Sequence, residues 1–311
     1  MDSQCAYLRF DYDNNAKYHI GELYKVNRIC RFCGKSIPEI TFNKKAHALS
    51  EFLGNKTIIC REECDCCNDW FSKIEQDFFN RHAIVFPFYN IKGKRGTPKI
   101  KASKAEIFNT IYEDKSVLTI KSSTPIERCL HFKGKKGKMN FNFFLKNNAY
   151  VPQNIYKCLS KYALSVIDTQ YLSSFTDTIR WITDENLFVN KLPLVIQFAN
   201  SFLEHPRISY YIRQDSTTSF VYAFCIVEFA NIGYAFIIPF AKGEKITMRA
   251  YLNFCNSFKT LYGNRNCVVH DFTGKERITM TSHFNIDNII LNQTMFEGKI
   301  EDIEDYIKNN T

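Results

Sequence analysis

Two pairs of cysteines, each with two residues between its members, constrain the first third of this 311-residue chain. Cys30 and Cys33 form the first pair, and Cys64 and Cys67 form the second. A two-residue gap lets both thiolates of a pair face one ion, and the loop between the pairs is long enough for a small sheet. The spacing therefore predicts one structural Zn²⁺ held by these four cysteines.

The chain has twelve cysteines, so the four predicted ligands have rivals. Pairing Cys64 with Cys67 repeats the gap of the first pair, whereas Cys66 is adjacent to Cys67. We therefore interpret Cys60 and Cys66 as structural thiols. Disulfides are the competing interpretation. Because residues 1–29 carry acidic groups and no continuous apolar stretch, we find no secretory signal and expect a reducing, cytoplasmic location.

The excess positive charge is concentrated in one segment. The net charge is +9, and residues 91–140 contain thirteen Lys or Arg against four Asp or Glu, so the rest of the chain balances at 28 of each sign. Glycines between the cations allow backbone to approach a phosphate chain closely. A solvated surface is the alternative. We predict nucleic-acid contacts at Lys92, Lys94, Arg95, Lys99, Lys133, Lys135 and Lys136.

Residues around the cysteines predict two short strands followed by a helix. We expect strands at 41–44 and 57–60, and then a helix that runs from an N-cap at Asp65 to about residue 80. Asn68 and Glu75 are seven residues apart and share one stripe of that helix. This stripe can face back toward the strands.

Patterning divides the whole chain into three parts. Residues 1–90 hold the four predicted zinc ligands and a short leader, residues 91–149 form a basic β segment, and residues 150–311 form a further domain of unassigned role. The boundary lies near residue 149, because Pro152 begins a helical repeat. The last part predicts a mixed α+β domain with a mostly antiparallel sheet. We expect strands at 207–213, 220–230, 232–240, 264–271 and 276–284, and helices at 173–182 and 248–261.

Residues 219–241 form the most lipid-like stretch of the chain. Glu228 interrupts it, and Asn231-Ile232-Gly233 has the composition of a turn. We therefore expect a buried hairpin here and no membrane span.

Residues 30–80 resemble the zinc-containing branch of the HNH endonucleases, the His-Me finger family. The resemblance lies in the order of the first cysteine pair, His47, the Leu53-Gly54-Asn55 turn, and a second pair followed by Asn68. It implies an N-terminal zinc-braced ββα finger and hydrolysis of DNA phosphodiester bonds. It also implies two ions, the structural Zn²⁺ and a catalytic Mg²⁺ or Mn²⁺.

The resemblance gives each residue a role. His47 is the general base, which suits an imidazole with an unperturbed pKa of about 6.5. Asn55 orients that imidazole, although a turn Asn that tolerates a left-handed backbone is an equal alternative. Asn68 binds the divalent ion, and Glu75 completes the shell or is a solvated helix carboxylate.

One residue departs from the family pattern. Many members have Asp, Glu or His directly before the catalytic His, and here that residue is Ala46. The metal site then has Asn68 as its single protein ligand, is completed by Glu75, or is lost. A lost site would leave a catalytically silent zinc-containing nucleic-acid-binding protein, which is our second hypothesis.

A third hypothesis makes residues 150–311 a sensor or docking module for a finger that acts as effector, as in bacterial anti-phage systems built around HNH nucleases. It would require an activating protein partner or ligand. A finger with one active site would need two copies of the chain, or two successive binding events, to cut both DNA strands. A homodimer is therefore a candidate assembly. The sequence does not distinguish DNA from RNA as the partner.

Overall fold

The structure is a computed structural model that describes residues 7–13, 16–102, 105–112, 115–122, 130–133, 139–146, 148–214, 219–263 and 266–289. In chain order its strands and helices are β1 (Tyr7–Tyr12), β2 (Tyr18–Ile20), β3 (Ile58–Cys60), α1 (Asp65–His82), α2 (Val85–Phe88), β4 (Ile100–Ala102), β5 (Ala105–Tyr112), β6 (Lys115–Ser122), β7 (Leu130–Lys133), β8 (Met139–Lys146), α3 (Pro152–Val166), α4 (Thr176–Thr183), β9 (Val195–Arg213), β10 (Ala223–Ile237), α5 (Met248–Tyr262), β11 (Cys267–His270) and β12 (Thr281–Ile289).

The largest sheet is antiparallel and carries a hydrophobic core on each face. Its order is β1-β9-β10, and β11 also pairs with β9. Successive residues of β9 point to opposite faces. Tyr210 faces the larger core, which includes α3, and Tyr211 faces a smaller core with Phe254 and Phe258 of α5. The sheet therefore separates α5 from the cysteine-containing part of the chain.

Strand β10 corrects the prediction of a hairpin within residues 219–241. The chain does not turn at Asn231-Ile232-Gly233 but continues as one strand, with register shifts on both sides of Ala230. Ala230 has a φ of 49°, which lets the strand bulge without ending. A Cβ at residue 233 would lie 2.1 Å from the Phe198 ring, so glycine here makes room for an aromatic side chain of β9.

The first ninety residues share the larger core with the C-terminal half. Cys30, Cys64 and Phe78 belong to the same buried cluster as Leu159 of α3 and Tyr234 of β10. Polar contacts reinforce this packing: the Arg31 guanidinium donates to the carbonyl oxygens of Leu164 and Ile167 at the end of α3, at 2.8 and 3.0 Å. The cysteine-containing part is thus anchored on the later half.

The predicted strand at 41–44 is wrong, whereas β3 and α1 lie close to their expected positions. The Asp65 carboxylate accepts hydrogen bonds from the Thr41 hydroxyl and from the backbone amides of Asn43 and Lys44, so this loop is bound to the start of α1 and not to a strand. The N-cap prediction is also off by one residue. The cap is Cys64, whose sulfur accepts from the Cys67 amide at 3.4 Å.

The basic segment contributes to two further antiparallel sheets, of order β4-β5-β6 and β12-β8-β7. Only β2 and β3 pair in parallel among the strands described. The predicted mixed α+β class with mostly antiparallel sheet is therefore confirmed. Over the described residues, no helix has the length and apolar character needed to cross a membrane.

Candidate functional site

The four predicted cysteines come together in one cluster. Their sulfur atoms all lie within 4.8 Å of one another, and the Cys30–Cys67 and Cys33–Cys64 distances are each 3.8 Å. Four thiolates in a tetrahedron around Zn²⁺, each about 2.3 Å from the ion, would be separated by about 3.8 Å. The cluster therefore fits a structural metal ion such as zinc.

Local backbone geometry brings each cysteine pair to the cluster. After Cys30 the chain turns back through Gly34, which has a left-handed φ of 70° and whose amide donates to the Cys30 carbonyl at 2.8 Å. In the second pair, Cys64 precedes α1 and Cys67 lies in its first turn. Spacing alone was sufficient to predict these four residues.

The rival cysteines are outside the cluster. Cys60 is buried in the larger core, where desolvation raises the pKa of its thiol to about 11, and Cys66 is exposed. All ten cysteines that the structure describes are free thiols, so no disulfide competes for the predicted ligands within this part of the chain. Among the described residues, the four-cysteine group is the one set of three or more Cys, His, Asp or Glu arranged to hold a metal ion.

His47 lies on a short antiparallel pairing with β3. Its backbone forms an isolated bridge with Ile59, and hydrogen bonds on either side join Ala48 to Ile58 and Ala46 to Cys60. The chain then continues into α1. His47 therefore occupies a strand-like position beside β3 and ahead of the helix, at an isolated bridge and not in or after a strand at 41–44.

The His47 side chain is largely buried, with 15% of it exposed. Burial lowers the pKa of His47, and the nearby Glu51 carboxylate opposes this effect only in part. The imidazole is therefore neutral at neutral pH. Its Nδ1 lies 3.6 Å from Glu51 Oε2, and its Nε2 is buried with no hydrogen-bond partner among the described residues. An unpartnered, neutral ring nitrogen can accept a proton.

Asn55 is fully buried and bonds only to backbone in the part of the chain described. Its Nδ2 donates to the carbonyl oxygens of Leu49 and Ile58 at 2.7 and 2.9 Å, and its Oδ1 accepts from the amides of Thr57 and Ile58 at 3.2 and 2.9 Å. Gly54, not Asn55, has the left-handed backbone, with φ of 88°. Asn55 therefore holds the loop after His47 against β3, and none of these bonds reaches the imidazole.

Asn68 and Glu75 are two helical turns apart on α1. Seven residues correspond to about 10 Å along the axis, so one ion could contact both only if the two side chains extended toward each other. The Glu75 carboxylate instead accepts a hydrogen bond from Lys161 at 3.0 Å. Ala46 is buried and offers no ligand.

Lys161 of α3 is a residue that the sequence analysis missed. Its side chain is 2% exposed, and its ammonium lies 2.9 Å from the His47 carbonyl oxygen, 3.0 Å from Glu75 Oε1 and 3.3 Å from Glu63 Oε2. Burial lowers the pKa of Lys161, but the two carboxylates raise this pKa by more than burial lowers it, so the residue stays charged. Because its partners are 86 to 114 residues away in sequence, no local pattern could have revealed it.

The structure describes only some of the basic residues that were predicted to contact nucleic acid. Lys92, Lys94, Arg95 and Lys99 are exposed, whereas Lys135 and Lys136 lie outside the described residues, and only the backbone of Lys133 is described, in β7. Lys94 and Arg95 form the tip of a tight turn closed by reciprocal backbone bonds between Gly93 and Gly96. A Cβ on Gly93 would lie 3.5 Å from Phe52 Cα. The turn therefore lies against residue 52, directly after the Glu51 that contacts His47.

No protein-family model, no curated protein and no solved structure matches this chain. Residues 30–80 contain a four-cysteine cluster that is compatible with a zinc-finger-like motif, and they belong to a mixed α+β protein. Their resemblance to HNH endonucleases rests on the motifs alone.

Proposed function

We propose that this protein is an endonuclease that hydrolyses DNA phosphodiester bonds, with His47 as the general base. The observation that carries the proposal is the unpartnered Nε2 of a neutral imidazole, on a segment paired with β3 and followed by a helix that begins at the four-cysteine cluster. In the proposed reaction, side chains around the buried Nε2 move aside to admit a water molecule. Nε2 takes a proton from this water as its oxygen bonds to phosphorus and the bond from phosphorus to the leaving 3′ oxygen breaks, and the leaving oxygen takes a proton from solvent. The Glu51 carboxylate near Nδ1 favours the tautomer that leaves Nε2 free.

The exposed basic turn supports a phosphate substrate at this site. Lys94 and Arg95 are solvent-exposed and project from a turn that lies against the residue after Glu51. Cations at the end of a glycine-flanked turn can contact a backbone phosphate without reading its sequence. In the proposed complex, the DNA strand that carries the scissile phosphate therefore lies against this face of the protein.

The divalent ion implied by the resemblance is supported less well than the base. Asn68 lies on the first part of α1 and would supply one amide oxygen, but Glu75 is paired with Lys161 and residue 46 is Ala. Mg²⁺ accepts few protein ligands and retains water. The residues present do not build a dedicated site, so we derive no step through the ion.

We expect wild-type protein to nick supercoiled plasmid DNA with Mg²⁺ or Mn²⁺, and His47→Ala to be slower by about a hundred-fold or more, as loss of a general base requires. Agarose-gel assays of nicked product over time measure the rates. His205→Ala removes an exposed histidine of β9 and is the matched control, expected to cut at the wild-type rate. Equal nicking by His47→Ala would show that His47 is not the general base.

A catalytically silent nucleic-acid-binding protein is the second candidate. Ala46, the engagement of Glu75 by Lys161, and the restriction of metal-binding clusters among the described residues to the four cysteines all favour it. Salt-dependent DNA binding without nicking by wild-type protein under either metal would select this candidate over the nuclease. An effector role in anti-phage defence would remain a proposal built on the first candidate.

Both candidates predict that the basic turn contacts phosphates. The double substitution Lys94→Glu/Arg95→Glu should weaken DNA binding regardless of sequence and reduce the slope of log K against log salt by about 2, because each lost contact accounts for about one released counterion. Fluorescence anisotropy of a labelled duplex at several salt concentrations measures this slope. Lys191→Glu/Lys275→Glu makes the same charge change at exposed residues of the later half. An equal effect of the control would show that the turn contributes only through the overall charge of the protein.

A further inference from the structure

A polar cavity of about 390 Å³ lies at the end of the main sheet, on the face that α5 covers. Arg9 and Asp11 of β1, Arg207 and Tyr211 of β9, and Tyr262 at the end of α5 contribute to its lining. A smaller, more apolar cavity of about 180 Å³ adjoins it and is lined by Tyr7, Phe224 and Leu261. The two share Arg9, Tyr211 and Leu261 in their linings, so a polar part and an apolar part lie side by side.

Tyr211 brings an unsatisfied hydroxyl to the boundary between the two parts. The residue is 4% exposed, and within the described chain its hydroxyl has no hydrogen-bond partner. Its ring is stacked on Phe224 at 4.3 Å, and the Arg9 guanidinium lies over it at 5.6 Å. Burial raises the pKa of Tyr211 to about 12, so the hydroxyl remains a donor at neutral pH. A buried hydroxyl without a partner is destabilising until a ligand accepts its hydrogen bond.

Acidic groups in the polar cavity already have partners. Glu228 accepts from Arg207 at 2.5 and 2.9 Å, from Asn200 at 2.5 Å and from Tyr262 at 3.1 Å. Asp11 accepts from Arg9 Nε at 2.9 Å and from the Ser209 hydroxyl at 2.5 Å. Asp13, at the rim, accepts from the Tyr18 hydroxyl at 3.4 Å. The cavity therefore offers a ligand few free acceptors.

The donors, in contrast, are only partly used. Among the described residues, Arg9 makes hydrogen bonds through Nε alone, and Arg207 uses Nε and Nη2 but not Nη1. The Arg9 and Arg207 side chains are 51% and 42% exposed, and together with Tyr211 they bring unused N–H and O–H donors to the lining of one cavity. Guanidinium groups bind carboxylate and phosphate oxygens particularly well.

We propose that this cavity is a binding site for a small organic oxyanion, a phosphate monoester or a carboxylate joined to an apolar body. The oxyanion accepts hydrogen bonds from Arg9, Arg207 and Tyr211, and the apolar body occupies the smaller part against Phe224 and Tyr7. The site is separated from the four cysteines and His47 by the main sheet. It is therefore independent of the proposed nuclease activity.

Isothermal titration of the full-length protein with phenyl phosphate, benzoate and phenol tests the site. At least one of the two anions should bind, and phenol, which lacks the oxyanion, should bind at least ten-fold more weakly. Tighter binding of phenyl phosphate identifies a phosphate ester as the ligand class, and tighter binding of benzoate identifies a carboxylate.

Tyr211→Phe is the decisive variant, because it removes a hydroxyl that no described residue uses. Affinity for the preferred anion should fall about ten-fold or more, as expected for a lost hydrogen bond to a charged group. The melting temperature should be unchanged or higher, since a buried unsatisfied group is removed. Tyr89→Phe, at a ring stacked on Phe202 elsewhere in the fold, should leave affinity unchanged. Absence of binding by both anions, or equal affinity in Tyr211→Phe, would overturn the proposal.

Discussion

Replacing Cys64 with serine is expected to abolish zinc binding and to unfold at least the first ninety residues. A hydroxyl does not substitute for a thiolate ligand, and structural zinc contributes about 10–16 kcal/mol in small zinc domains. That is comparable to the total stability of a typical domain, about 5–15 kcal/mol. Because Cys30, Cys64 and Cys67 also belong to the larger core, the loss should spread to α3 and the main sheet.

Metal analysis by mass spectrometry and thermal unfolding measure this effect. Wild-type protein should contain one zinc per chain, and Cys64→Ser none, with a lower melting temperature or failure to fold. Cys66→Ser is the matched control, because Cys66 is two residues away in sequence but exposed and outside the cluster. It should retain both the zinc and the wild-type melting temperature.

A chelator provides a second measurement in case Cys64→Ser cannot be purified. Adding a strong zinc chelator to wild-type protein should lower its melting temperature, and resupplying zinc should restore it. Wild-type protein that is purified folded and free of zinc, or Cys64→Ser that keeps one zinc, would contradict the assignment.

Features set by short-range spacing were predictable. The gap within each cysteine pair predicted the four residues that cluster, and Pro152 with its helical repeat predicted α3, because these signals depend on neighbours along the chain. The expected strands at 207–213 and 264–271 overlap the end of β9 and β11, whereas those expected at 220–230 and 232–240 are the single strand β10. Local chemistry is sufficient where a residue's partner is a few positions away.

Features set by tertiary contacts were not predictable. The first part of β9, from Val195 onward, was missed because many of its side chains are exposed and polar, so it lacks a buried-strand pattern. Asn231-Ile232-Gly233 has turn composition, but the glycine here accommodates Phe198 from the neighbouring strand.

Lys161 is the clearest case of a long-range contact near the candidate site, and its removal is expected to destabilise the protein strongly. Its buried ammonium is the cation between Glu63 and Glu75, and it also donates to the carbonyl oxygen of His47. Both Glu63 carboxylate oxygens lack any hydrogen bond from a described residue, so the 3.3 Å ion pair with Lys161 is their compensation. Desolvation raises the pKa of Glu63 to about 7, although Lys161 opposes this rise.

We expect Lys161→Met to lower the free energy of unfolding by about 3–5 kcal/mol, the range found when one partner of a buried ion pair is removed. Methionine fills a similar volume, so the loss reflects the uncompensated carboxylates and the unbonded His47 carbonyl. Urea unfolding followed by circular dichroism measures the change.

Lys157→Met is the control that separates charge pairing from lysine burial. Lys157 lies one turn earlier on α3 and is equally buried, but its ammonium donates to one backbone carbonyl, that of Asp184, at 2.8 Å. Its replacement should cost less, about 1–2 kcal/mol, which corresponds to one hydrogen bond. Adding Glu63→Gln to Lys161→Met should recover part of the loss, because a neutral amide replaces the fully buried one of the two carboxylates that lose their cation. Equal destabilisation by the two methionine variants, or no recovery in the double variant, would show that packing alone makes Lys161 important.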